Sequence, residues 1–348
     1  MASRQDTRVL QIGCGNFGPA HISAWHALGL DDRLYVADPE PEARALAGAC
    51  GVPEANLTGD FKEFLDAADI VDIVVPLPAH LSIAQAALAA GKHVALEKPA
   101  TRGVSEARQL VDHAQEAGTK VQIGYHMRFH PLAAALKQLI TDGDLGRPVY
   151  LAAQTCGFKR LRADTGVLLN DAVHFIDLVR WLLGMAPQSV YAVLRDDLGC
   201  GVPSLALIVL DYEDGAVARI EAGRTGIGHR ADPIVPNAWT SQVFSIVGSH
   251  GAAEIDFHAG TLLRRGARFC EKQGIWQPEF GDASFTEGMG CAWADVMARA
   301  FAAFLHAIEN DTASPVPVGE AALEMAVLCE AIERSARTGV RIFLKARS

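Results

Sequence analysis

Three short stretches carry residues whose types and spacing can do chemistry. In GCGNFG, Gly13, Gly15 and Gly18 stand at GxGxxG spacing around Asn16 and Phe17, between the apolar run RVLQIG and the helix-like PAHISAWHAL. One such glycine permits a tight turn, a second lets the backbone approach a pyrophosphate, and a third lets the helix pack closely on the strand. The helix N-terminus then offers free N–H groups and a partial positive charge to phosphates. Asp38 ends the next strand-like run, RLYVAD, where a carboxylate accepts hydrogen bonds from ribose hydroxyls and repels a 2′-phosphate. Pro39 follows rather than a phosphate-binding arginine, so NAD is favoured over NADP; Arg44, one turn into the next helix, can still reach a phosphate. The plain alternative is that Asp38 only caps that helix.

The second stretch is ALEKPA. It places Glu97, Lys98 and Pro99 at the carboxyl end of a fourth strand, where doubly wound sheets bind ligands. A lysine beside a nicotinamide can donate to a substrate hydroxyl or carbonyl, stabilise developing negative charge, and join a proton relay. Its bland counterpart is a solvent-facing lysine, and Pro99 can take a cis bond there.

The third is LLNDAVHFID, 168–177. Projected on a regular helix at about 100° per residue, Asn170, His174, Asp177 and Trp181 share one side with Asp171 at its edge, opposite Ala172, Phe175, Ile176 and Val179. A histidine on such a face suits general acid–base work near neutral pH, although a satisfied core histidine is the commoner case.

The elements that must hold these groups follow from pattern. Through residue 125, strand-like runs at 8–13, 33–38, 69–78, 93–99 and 120–125 alternate with helical ones, the signature of parallel βαβ units. Beyond about 130 the runs PVYLAAQTCGF, QSVYAVLRD, SLALIVLDYEDGAVARIEAG and QVFSIVGSHGAAEIDF predict longer strands. Their turns, Glu213-Asp214-Gly215 and Ser249-His250-Gly251, mark hairpins and hence an antiparallel sheet. The expected fold is therefore α/β. Residues 1–125 form a Rossmann dinucleotide-binding domain, and 126–348 form an α+β substrate and oligomerisation domain on a mainly antiparallel open sheet. Two helices split by NDTASPVP close the chain and can pack back on the first domain.

Composition narrows the classes. A length of 348 residues favours two domains. Half the residues are apolar without a run long enough for a membrane span, and a net charge of −10 disfavours nucleic acid and anionic membranes. The seven cysteines are scattered with no CxxC, against a disulfide framework or a structural zinc; no metal is expected, and a reducing cytoplasm fits best. The opening MASRQDTRVLQIG passes from a short polar stretch into a strand without a signal peptide.

Together, GCGNFG, the EKP of the fourth strand, GYHMRFHP (124–131), the His174 helix, SIVGSHGAAEID and AIERSARTG resemble the Gfo/Idh/MocA family of glucose–fructose oxidoreductases and inositol dehydrogenases over nearly the whole chain. The resemblance implies NAD(P)-dependent hydride transfer between the nicotinamide and a secondary alcohol or ketone of a sugar, cyclitol or related polyhydroxylated compound. It also implies a second domain whose open sheet makes homodimer or homotetramer contacts. His174 would then be the acid/base and Lys98 the group that holds the substrate oxygen. The family pattern has an aspartate where this chain has Asn170, which can orient His174 but cannot balance an imidazolium; Asp171 is the candidate substitute.

The resemblance also adds Pro76 and His80 of VPLPAH as cofactor contacts, with helix capping as the alternative for His80. Arg128 resembles a residue near the substrate cleft, or else makes an inter-domain ion pair. FKRLR, with Arg162, can bind an anionic group on the substrate or simply lie in solvent. The competing readings are a reductase for a keto-sugar or imine, and a non-catalytic dinucleotide-binding sensor for which Asn170 is the only support.

Overall fold

A computed structural model describes residues 6–162, 164–224, 226–232, 235 and 237–344. The first residues of the polar N-terminal stretch, 1–5, lie outside these. The chain divides into two compact units, one of Met1–His126 with Trp293–Val327, the other of Met127–Ala292 with Leu328–Ser348.

The first unit is a six-stranded parallel sheet. Its strands are β1 (Val9–Ile12), β2 (Leu34–Ala37), β3 (Leu57–Thr58), β4 (Ile70–Ile73), β5 (His93–Leu96) and β6 (Val121–Ile123), in the order β3-β2-β1-β4-β5-β6. All five pairings are parallel. Strands β1 and β4 are buried at every position, as expected where helices cover both faces of a sheet. The crossovers are α1 (Gly18–His26), α2 (Pro41–Ala49), α3 (Lys62–Leu65), α4 (His80–Ala89) and α5 (Val104–Ala117). Pro41 at the start of α2 and the left-handed Gly118 after α5 are the stop and start residues that helix ends favour. The late helix Trp293–Glu309 belongs to this unit and lies on α1, with the Phe301 ring stacked on Trp25 at 4.1 Å between centroids. The β6 edge is covered by the segment around Val316, whose carbonyl accepts the Ile123 N–H at 3.1 Å.

The second unit is built on a ten-stranded sheet. It begins with α6 (Pro131–Thr141), β7 (Pro148–Phe158) and α7 (Val173–Leu183). The strands β8 (Ser189–Arg195), β9 (Leu205–Asp211), β10 (Val217–Gly223), β11 (Arg230–Ala231), β12 (Trp239–Gly248), β13 (Gly251–Asp256), β14 (Thr261–Lys272), β15 (Ile275–Thr286) and β16 (Ile342–Phe343) follow. The order is β15-β14-β13-β12-β7-β10-β9-β8-β16, with β11 beside β12, and among the described residues β7–β10 is the one parallel pair of this sheet. Both hairpins read from Gly215 and Gly251 form as β9–β10 and β12–β13. The β14–β15 hairpin was not anticipated. Its strands carry no buried position and no clean alternation, so the period-two signal is weak. The legible signal was the turn: Gln273 (φ 57°) and Gly274 (φ 77°) form a two-residue connection with positive φ at both centres.

Candidate active site

In the Rossmann unit the chain leaves β1 for one half of the sheet and crosses to β4 for the other, so the carboxyl ends of β1 and β4 flank the crevice where such sheets hold ligands. The three glycines divide the work. A Cβ on Gly13 (φ +97°) would lie 2.4 Å from the Val74 carbonyl oxygen, so the turn admits only glycine. A Cβ on Gly15 would meet nothing within 4 Å: this backbone faces open space, as an approaching pyrophosphate requires. At Gly18 a Cβ would press Cys14 Sγ (3.1 Å) and Gln11 Nε2 (3.2 Å), which is the close helix–strand contact. Gln11 braces the loop by donating to the Gly13 carbonyl at 2.9 Å. Gly15, Asn16 and Phe17 are exposed at the mouth of the turn.

Asp38 caps the next helix, the plainer of the two roles read for it, and also ties down the glycine turn. Its Oδ1 accepts the Glu40 N–H at 3.0 Å at the start of α2, and its Oδ2 accepts the Cys14 N–H of the glycine turn at 2.8 Å. Arg44 is turned back on the loop, donating to the carbonyls of Asp38 (2.7 Å) and Pro39 (2.9 Å). The Cys14 thiol is pushed up to about 11 by burial, so it is inert. An open glycine cradle, a helix N-terminus and a strand-end carboxylate together fit an NAD-type dinucleotide.

Lys98 is half-buried just beyond β5, and the Lys98–Pro99 peptide bond is cis. Two clasps hold this turn. His80, buried, places Nδ1 at 3.0 Å from the Pro99 carbonyl and Nε2 at 2.9 Å from that of Val75. Burial lowers its pKa. Its ring thus spans two backbone segments, and neither of the two roles expected of it describes that. Pro76 is exposed beside it. Glu97 turns its carboxylate inward, to His126 Nε2 at 2.8 Å and to the Lys98 N–H at 3.1 Å.

In the second unit the regular helix assumed for 170–181 needs correcting. Residues Leu168–Ala172 form a π-helical turn and α7 proper begins at Val173, so an even 100° projection does not carry back to Asn170. His174 lies in the first α turn, half-buried; Asn170 is half-buried and Asp171 buried in the π turn. Asn170 Nδ2 donates to Asp171 Oδ2 at 3.1 Å. Asp171 also takes the Lys159 ammonium at 3.0 Å and the Arg224 guanidinium at 2.5 Å. Against the cost of burial, these two cations hold the carboxyl down at about 2. Lys159 lies 3.8 Å from Asp232 as well.

Arg128 makes a bidentate pair with Asp177, at 2.8 and 2.6 Å, both side chains buried. Arg128 does form an ion pair, but inside the second unit and not between domains as the alternative had it, and Asp177 is engaged in it. Arg162 pairs with Asp164 at 2.6 Å near the surface. Lys159 as a partner of Asp171, Arg224, and the buried His21 and Asp72 were not singled out from sequence. Each pairs across 12 to 53 residues, and nothing local marks such a partner.

Family models match both parts of the chain: the oxidoreductase family with NAD-binding Rossmann fold over residues 7–125, and the GFO/IDH/MocA C-terminal domain over 133–254. The D-xylose 1-dehydrogenase (NADP(+)) 2 of Haloferax volcanii is 31% identical over 194 residues, 53% of this chain and 58% of that protein. The levoglucosan dehydrogenase of Pseudarthrobacter phenanthrenivorans is 32% identical over 271 residues, 64% of this chain and 69% of that one. A levoglucosan dehydrogenase structure in complex with NADH and levoglucosan superposes with a TM-score of 0.82 at 22% identity, over 97% of this chain and 99% of that chain, and so shares the fold. Motifs, sheet order and both family matches agree: the chain belongs to the Gfo/Idh/MocA oxidoreductase family, with an NAD-binding Rossmann domain at its N-terminus.

Proposed function

We propose that the protein is an NAD-dependent dehydrogenase acting on a secondary alcohol of a sugar or cyclitol. The observation that carries the reading is Lys98, half-buried at the carboxyl end of β5 and braced by His80 and Glu97, in the unit that carries the glycine cradle. NAD⁺, when bound, supplies the hydride acceptor. Lys98 binds the reacting oxygen and favours negative charge on it. His174 takes the hydroxyl proton, and returns it in the reductive direction. Asn170 and Asp171 orient: a carboxylate held by Lys159 and Arg224 is a fixed charge rather than a proton carrier.

The substrate is read as neutral. Within the basic loop 158–162, Lys159 and Arg162 are each matched by a carboxylate of this chain, which leaves the exposed Arg160 as its candidate for an anionic group. The Asp38 carboxylate near the glycine turn and the engagement of Arg44 by two carbonyls support NAD over NADP. Absorbance of the reduced nicotinamide, followed with NAD⁺ and NADP⁺ against neutral sugars, cyclitols and sugar acids, tests this. Reduction of NAD⁺ by a neutral member is the expected outcome. Turnover only with NADP⁺ would overturn the cofactor assignment, and turnover only with acids the substrate assignment. Tight NADH binding without turnover in either direction would favour the sensor.

The same reading includes self-association in the cytoplasm. Phe269, Ile275, Trp276, Phe280 and Phe285 on the β14–β15 hairpin are each 60–69% exposed, and large apolar side chains left in water favour association. Light scattering behind size exclusion is expected to give a dimer or tetramer mass, and Trp276→Glu with Phe280→Glu to shift it toward the monomer. An unchanged monomer mass before and after would exclude the face. None of the seven cysteines is in a disulfide, in keeping with a reducing compartment; no helix among the described residues is long and apolar enough to cross a membrane.

A further inference from the structure

Behind the Lys98 turn lies a row of buried polar side chains that the proposed chemistry does not use. Glu97 Oε1 faces His126 Nε2 at 2.8 Å and His21 Nε2 at 3.3 Å, while Oε2 accepts the Lys98 N–H. On its far side His21 Nδ1 meets Asp72 Oδ2 at 2.9 Å, which also accepts the Trp25 indole N–H at 2.7 Å. The row thus joins α1, β4 and the ends of β5 and β6. The fold keeps room for it: a Cβ on Gly124 would stand 2.7 Å from Glu97 Oε1 and 3.2 Å from His126 Nε2. A cavity of about 10 Å³ beside it, lined by His21, Asp72, Glu97, Gln122 and His126, is the size of one water.

The two imidazole nitrogens and the carboxylate oxygen lie within 4.8 Å of one another and are the atom types of a zinc site. Their spacing favours protons instead. The 2.8 Å contact of His126 is a hydrogen bond and is too close for two ligands of one tetrahedral metal with bonds of about 2.0–2.1 Å, while His21 Nε2 at 3.3 Å stands in ion-pair contact without a hydrogen bond to Glu97. The paired carboxylates, outweighing the cost of burial, raise His21 to about 10, so its proton stays at neutral pH.

We propose that His126 is a positioning residue for Lys98, gripping Glu97 by a hydrogen bond beside the His21 ring so that its second oxygen fixes the peptide from which the lysine projects. The inference rests on the reading of Lys98 as the group that binds the reacting oxygen. Without the grip, Glu97 can turn, the Lys98 peptide loses its acceptor, and the ammonium drifts from the reacting oxygen. Misplacement on the order of 1 Å costs up to about 100-fold in turnover.

The test compares His126→Leu, which removes the donor, with His126→Gln, whose amide can reach the same oxygen, and with Lys98→Met. His126→Leu is expected to lower kcat by about 10- to 100-fold with NADH affinity kept and the Lys98 amide proton resonance shifted, and His126→Gln to restore much of both. Unchanged kcat and resonance in His126→Leu, or a loss that His126→Gln does not relieve, would overturn the proposal. So would a stoichiometric metal in the purified protein that Glu97→Gln abolishes. Full turnover by Lys98→Met would refute the assignment of Lys98, while the amide resonance would still report whether the grip exists.

Discussion

Turnover by His174→Asn is expected to fall by about 10²–10⁴-fold, the usual worth of a positioned acid–base group. NADH is expected to bind as before, because the cradle of Gly13, Gly15, Gly18 and Asp38 belongs to the other unit. Asparagine keeps a side chain of similar reach that can hydrogen-bond but not exchange a proton, so the variant separates orientation from proton transfer. Steady-state kinetics and a fluorescence titration with NADH make the comparison. A kcat within about threefold of the parent would remove His174 from the chemistry. Equal loss of NADH affinity would mean that the substitution damaged the fold. Asn170→Asp is the informative partner, because it restores the family pattern beside an Asp171 already committed to Lys159 and Arg224.

The second large effect concerns stability. Asp171→Asn leaves Lys159 and Arg224 facing an amide in a buried site, and breaking one side of such a cluster costs about 3–5 kcal/mol. Denaturant midpoints should show that loss at pH 7, and Lys159→Met added to Asp171→Asn should recover part of it by removing a stranded charge. The same carboxylate gives the acid sensitivity of the parent. Its folded pKa, about 2, is below the ordinary 3.8. Its contribution is therefore complete above about pH 4 and is lost as pH falls through 2; the difference corresponds to roughly 2 kcal/mol. Asp171→Asn should be flatter than the parent over that interval. Parallel curves, or an unchanged midpoint at pH 7, would show that the cluster adds nothing net.

What could be read ahead of the structure was local. The glycine triad, the strand-end positions of Asp38 and Lys98, and the hairpins at Gly215 and Gly251 each depend on neighbours within a few residues, and each lies where its spacing put it. What could not be read was reciprocal. Asp171 looks like a second-choice acid until Lys159 and Arg224 arrive from other strand ends; Arg128 looks like a cleft residue until Asp177 takes it. The trio of His21, Glu97 and His126 comes from three segments with no shared period. The β14–β15 hairpin escaped for the opposite reason: its aromatic residues point into water, so the inside–outside alternation that announces a strand is missing.

The π turn at Leu168–Ala172 has a consequence for how this site can change. A π turn accommodates one more residue than an α turn without adding height. Deleting any one residue within it would restore α geometry and rotate everything upstream by about 100°. Deletion of Ala172, for example, would bring Asn170 to three residues before His174, where Asp171 stands now, with the anchoring of α7 by Arg128 and Asp177 untouched. No single substitution can do that. For this stretch a shift in length by one residue is the larger functional step, and aligning the helix gap-free with relatives that lack the turn would match Asn170 to the wrong neighbour.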